Sequence, residues 1–214
     1  MQHRRAAVHE NETSKLKMKP LHALIATLAL AGCATGPLSH TGTFLPPQHY
    51  AALEKAPLCC ESARDISYLK LIPGAEQAAA ITPESPVFQF DHQRAYFAAF
   101  ELPAGARTLV VKTYPVNMLW NVSGHVLLPS IRFLDADYRP LVTESPDYIA
   151  RNPPLIGRSW GEATIAIPAA ARFFVLFEGN RLSYLAWRDS EQPGGLLYVR
   201  SGPTGELSVL VPNA

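Results

Sequence analysis

The sequence predicts an all-β fold, an antiparallel β-sandwich of the jelly-roll or immunoglobulin-like kind, preceded by a lipoprotein signal and a short flexible tether. Three observations predict it. Short apolar runs recur at close spacing from about residue 66 to residue 212. Nineteen prolines and thirteen glycines punctuate a chain of 214 residues, many for a helical protein and suited to short strands joined by turns. Few stretches carry helical periodicity.

The N-terminal region is read first. Lys15, Lys17 and Lys19 form a positive flank, and residues 21–31 are an apolar run of signal-core length, too short to span a bilayer well. The run ends in Leu30-Ala31-Gly32-Cys33. This resembles a bacterial lipobox, in which small residues admit the signal peptidase and the cysteine sulfur is acylated. An ordinary secretory signal with a chance cysteine is the plainer alternative. Met18 is the more natural start, so the signal is 1–32 with a polar extension before Met18. The lipidated Cys33 and a tether occupy 33–50, and the sandwich domain 51–214. Residue 34 is Ala rather than Asp, the pattern that favours sorting to the outer membrane. The expected location is therefore periplasmic, lipid-anchored to the outer membrane.

Charge excludes a class of partners. The chain has 19 basic and 18 acidic residues, of which 5 and 2 lie in the first 32, so the remainder carries 14 and 16, a net −2. No basic field for nucleic acid exists, and no polybasic patch aids membrane binding. Lipid is the expected membrane anchor.

With Cys33 acylated, Cys59 and Cys60 have no other partner in the chain. Three states are open to them in an oxidising compartment: a vicinal disulfide, intermolecular bridges, or buried thiols. Adjacent Cα atoms lie about 3.8 Å apart, closer than the usual disulfide span. Two adjacent cysteines without CxxC spacing do not resemble a zinc site. The expected role is a structural brace where the tether meets the domain.

Residues 34–47 are small, polar and rich in Pro and Gly, as a tether is. Residues 48–56 have the composition of two helical turns, stopped by Pro57. From 65 onward the pattern is β. In "PVFQFD" (86–91), Val87 and Gln89 fall on one face, Phe88 and Phe90 on the other. "RAYFAAFELPAGARTLVVKTY" (94–114) is two apolar runs about a Pro-Ala-Gly turn and reads as a hairpin. Residues 126–142 repeat the theme with Asp135-Ala136-Asp137 at the turn, and 162–179 read as another pair. Strands at 183–189, 196–202 and 206–212 complete the set. "LPAGARTLVV" and "IPAAARFFVL" echo one another, which two hairpins of similar turn chemistry explain.

Motifs for catalysis are weak. Gly157-Arg158-Ser159-Trp160-Gly161 matches G-x-S-x-G, but the last histidine, His125, lies upstream, against the hydrolase order. His40, His49, His92 and His125 show no metal-ligand spacing, and Asp135/Asp137 lack the other oxygens of a calcium loop. No enzyme activity, cofactor or metal is expected. The aromatics Trp120, Tyr148, Trp160 and Trp187 fall outside or at the ends of the apolar runs. There they form candidate platforms for sugar rings, with Arg158 among the polar readers.

Several stretches together resemble the maltose operon periplasmic protein (MalM) family: "LEKAPLCCES" with its paired cysteines, "FAAFELPAGARTLVVKTY", "IRFLDADYRPLV", "RFFVLFEG" and the terminal "PTGELSVLV". The resemblance covers most of 51–214. It implies a secreted, non-catalytic accessory of maltose or maltodextrin transport and carries over no catalytic residues. The lipobox departs from a free periplasmic protein. Two functions are therefore expected. One is a lipoprotein associated with carbohydrate transport that binds an oligosaccharide or works beside a sugar porin or transporter. The alternative is a structural or adaptor module that binds another envelope protein.

Overall fold

The computed structural model describes residues 47–91, 93–116, 124–152, 158–188 and 196–213. Cys33, the signal and most of the tether lie outside the described residues. Helix α1 (Pro47–Lys55) is followed by a 3-10 turn (Ala63–Asp65) and thirteen strands. These are β1 (Leu69–Lys70), β2 (Gln77–Ile81), β3 (Val87–Phe90), β4 (Gln93–Glu101), β5 (Thr108–Tyr114), β6 (Pro129–Leu134) and β7 (Pro140–Glu144). They continue as β8 (Ile149–Arg151), β9 (Trp160–Ala166), β10 (Phe173–Glu178), β11 (Tyr184–Arg188), β12 (Leu196–Arg200) and β13 (Gly205–Leu210).

The strands form two main sheets. The six-stranded sheet runs β1-β4-β10-β6-β7, with β3 also on β4, and the five-stranded sheet runs β2-β13-β5-β9-β8. β11 and β12 pair separately. Among the described residues, the strand pairings are antiparallel except β1 on β4. Period-two alternation explains why the sheets meet face to face. Tyr96 and Phe100 of β4, Ile131 and Phe133 of β6, and Phe174 and Leu176 of β10 point inward. They pack with Leu109 and Val111 of β5, Ile165 of β9, and Leu207 and Val209 of β13. Phe100 stacks on Phe174 at 5.0 Å. The opposite face of the six-stranded sheet is apolar too: Ala95, Phe97, Ala99, Val175 and Phe177 form a second cluster with Phe90 and Ile66. The chain from Leu58 to Tyr68 covers it, beginning with a parallel bridge from Leu58 to Val87.

Cys59 and Cys60 are disulfide-bonded, their Cα atoms 3.8 Å apart. Cys59 N–H donates to Val87 O at 2.8 Å and Cys60 packs against the second cluster. The bond therefore sits at the start of the covering segment.

α1 forms where expected. Proline at its first position leaves no needed donor unmade, the interior holds good helix formers, and Pro57 disfavours helix at Ala56. Its Leu53 is fully buried in the inner core.

One expectation is corrected. The runs 94–114 and 162–179 are not hairpins. β4 pairs with β10 and β5 with β9, so each Pro-Ala turn is an arch carrying the chain from one sheet to the other. The two arches bond to each other reciprocally: Leu102 N–H to Arg172 O and Ile167 N–H to Arg107 O, both 2.8 Å. The physical reason is burial. Strands apolar on both faces gain more by lying centrally in a covered sheet than by pairing with their sequence neighbour. The hairpin at Asp135 is real: β6 pairs with β7, and Asp135 Oδ1 accepts the Asp137 and Arg139 N–H groups at 2.8 Å.

Candidate functional site

A shallow depression lies on the outer face of the six-stranded sheet, beyond the covering segment. Its volume is about 420 Å³. The β3–β4 turn, β6, β7 and the end of β10 supply its walls. Asp91 holds the turn with φ 49, a left-handed conformation that aspartate tolerates. Phe90 and Phe177 stack beneath, centroids 3.9 Å apart and planes within 4°. The Arg132 guanidinium stands beside the stacked pair, 5.4 and 5.7 Å from the two centroids. Its Nε donates to Thr143 Oγ1 at 3.0 Å and its Nη2 to the Asp91 carboxylate. Ser130 and Ser145 share a 2.8 Å hydroxyl bond. Gly179 is required beside them, because a Cβ there would stand 1.8 Å from Ser130 Oγ.

The Ser130 hydroxyl meets another hydroxyl rather than a base, so the pair donates and accepts hydrogen bonds and has no activated nucleophile. Gln93 donates to Glu178 O and also lines a second, more polar depression of about 470 Å³ with Glu54, Gln89, Arg94 and Arg181. Together the walls present hydroxyl, amide, carboxylate and guanidinium groups, the donors and acceptors that read a polyhydroxylated ligand. Among the described residues, no group of three or more His, Cys, Asp or Glu side chains is placed to hold a metal ion.

A buried ionisable cluster sits under α1. Glu178, on the inward face of β10, is 1% exposed and accepts a 2.7 Å bond from Tyr50 Oη. Its other oxygen makes no hydrogen bond and faces Arg181 Nε at 3.8 Å. Burial pushes the Glu178 carboxyl up to about 7, opposed by the Tyr50 bond and Arg181. The Tyr50 phenol is held far above its ordinary range, first by burial and then by Glu178. Beside them His49 Nδ1 lies 3.1 Å from Thr204 Oγ1, and His125 Nε2 lies 3.0 Å from Thr204 O. Burial holds the His125 imidazole below its usual value.

The residues picked out in the sequence are dispersed. Trp120 lies outside the described residues, as does the side chain of Trp187, whose backbone pairs with Leu197. Tyr148 is half-buried against the inner core, its hydroxyl donating to Pro129 O at 3.0 Å. Arg158 and Trp160 share the outer face of the five-stranded sheet, each with its own partners. Arg158 pairs with Glu206, donates to Pro115 O at 2.8 Å and lies 5.1 Å from the Tyr114 ring centroid. Trp160 Nε1 donates to Glu162 at 3.1 Å, and Lys112 Nζ lies 5.7 Å from its ring centroid. Ser159 donates to Asn152 at 2.7 Å, the bond of a loop rather than of a nucleophile elbow.

Sequence reasoning missed Arg132, Gln93 and Glu178. Strand parity carries the signal: Glu178 follows Phe174 and Leu176 at the inward positions, and Arg132 alternates with Ile131 and Phe133. In comparisons with known proteins, no family model, curated protein or solved structure matches the chain.

Proposed function

We propose that the chain is a non-catalytic cell-envelope lipoprotein, acylated at Cys33 and held at the outer membrane, that assists carbohydrate transport by binding an oligosaccharide. The single observation that carries the binding step is the depression around Arg132. Its hydroxyls, amide and carboxylate flank a guanidinium that stands beside two stacked rings, held by Thr143 and Asp91. The maltose class comes from the resemblance of "LEKAPLCCES" and the later strands to the MalM family. The lipid anchor comes from the Leu30-Ala31-Gly32-Cys33 motif.

The test is calorimetric titration of the chain with a maltooligosaccharide panel. Saturable binding is expected, weakened about tenfold or more by Arg132→Ala or Thr143→Ala, as loss of one to two ligand hydrogen bonds implies. Trp160→Ala leaves it unchanged. Weakening by Trp160→Ala alone would move the site to the five-stranded sheet. Flat titrations of folded protein would favour the adaptor reading, which draws on β7, an edge strand carrying Leu141 40% exposed.

A further inference from the structure

Three of the large apolar side chains exposed on the described surface belong to β11, β12 and the turn just before them. Leu182 is 81% exposed, Tyr184 62% and Tyr198 54%. Tyr184 and Tyr198 touch edge to face, centroids 5.1 Å apart, on the outward side of the β11–β12 hairpin. The inward side is ordinary core: Leu185 and Val199 pack with Val126 and Leu128. Asn180 Oδ1 accepts the Leu182 N–H at 2.9 Å, which fixes the turn that displays Leu182. Arg200 stands opposite Tyr184 in the register, and Arg181 precedes Leu182. The outer face of the five-stranded sheet carries ion pairs instead, such as Lys112–Glu76 and Arg158–Glu206.

The position of this patch names its occupant. The hairpin rises from segments 178–183 and 201–204, joined where Ser201 N–H donates to Ser183 O at 2.8 Å. α1 rests on those same segments. Tyr50 bonds Glu178, Arg181 lies 4.7 Å over the Tyr50 ring, and His49 reaches Thr204. α1 begins at Pro47, where the tether from Cys33 joins the domain. Read from its composition as a random coil, a linker of that length has a root-mean-square span of about 20 Å. An acyl anchor on Cys33 would therefore keep the α1 end, and the aromatic patch beside it, within about that distance of the bilayer.

We propose that Leu182, Tyr184 and Tyr198 form a membrane-docking face that seats in the headgroup region of the bilayer to which Cys33 is anchored. Tyrosine favours that region because its ring is apolar and its hydroxyl is wet. Arg200, opposite Tyr184 in the register, stands beside it for lipid phosphates. The contact is weak alone and is populated because the anchor raises its effective concentration. The inference rests on the lipoprotein reading.

The experiment is hydroxyl-radical footprinting of the full acylated chain in vesicles of phosphatidylethanolamine and phosphatidylglycerol, with no other protein present. The unlipidated Cys33→Ser chain without vesicles is the reference. Labelling of Leu182, Tyr184 and Tyr198 is expected to fall several-fold, while Tyr114 and Trp160 stay unchanged. Unchanged labelling of the three overturns the docking. Protection that disappears when the protein is diluted in the bilayer marks a second copy as the occupant and also overturns it. The mass of the Cys33 peptide is read in the same sample. Acyl mass with unprotected tyrosines sinks the docking alone, and absence of acyl mass sinks the lipoprotein reading beneath it.

Discussion

The outer faces of the two sheets differ sharply. On the six-stranded sheet, Phe97, Val175 and Phe177 lie buried beneath Phe90, Ile66 and the segment that the Cys59–Cys60 bond opens. On the five-stranded sheet, the outward residues of β5, β9 and β13 are Lys112, Tyr114, Glu162, Glu206 and Ser208, tied by side-chain bonds such as Lys112 Nζ to Glu76 at 2.7 Å. The difference is visible in strand composition. β4 and β10 are apolar on both faces, whereas β5 and β9 alternate. A strand apolar on both faces announces a second cover, and here the residues just ahead of the sandwich supply it.

The sharpest way to break this comparison is to truncate one side chain on each face. Phe97→Ala should cost about 3–5 kcal/mol, since the buried ring leaves a cavity. Lys112→Ala on the wet face should cost at most about 1 kcal/mol, because its pair with Glu76 is partly hydrated. Urea midpoints of both variants test it, and equal losses would mean the outer cluster is not a second core.

A smaller effect sharpens the role of α1. Glu178 has a folded value of about 7 against an ordinary 4.5, so the folded protein holds an extra proton between those values. Its contribution is fully present below the unfolded value and is lost as pH rises toward 7, a fall on the order of 3 kcal/mol. His125, shifted the other way, loses stability as pH falls through its lowered folded value. Glu178→Gln should abolish the alkaline decline. Unfolding curves at pH 5 and pH 8 measure it, and an unchanged decline would place its cause elsewhere.

The smallest effect separates the two arches. Gly105 has φ 78 and no atom near where a Cβ would be added, whereas its counterpart Ala170 keeps a negative φ. The first turn thus follows the type II pattern and the second needs no glycine. Gly105→Ala should cost about 1 kcal/mol through backbone strain, and Ala170→Gly about 0.5–1 kcal/mol through chain entropy. A gain in thermal midpoint for Gly105→Ala would show that the positive φ is not required.

The β class, α1 and the inward residues of β4, β5 and β10 were legible in the amino-acid order, because side-chain alternation and proline placement act locally. The disulfide was one of three states open to Cys59 and Cys60 until the covering segment placed them. The candidate site was least legible. Arg132 and Gln93 read as ordinary strand polarity, and only the stacking of Phe90 on Phe177 makes a floor beneath them. The tryptophan positions were conspicuous in composition, yet composition does not say which loops share a face.

By itself the sequence determined what each strand buries, since apolar spacing along one strand sets which side leaves water. Only the tertiary structure decided which strands are neighbours. Pairing is settled by total burial, which no local run contains, so both Pro-Ala turns became arches between sheets. The same closure put Glu178 beneath Tyr50 and set the β11–β12 pair on the segments that α1 rests against.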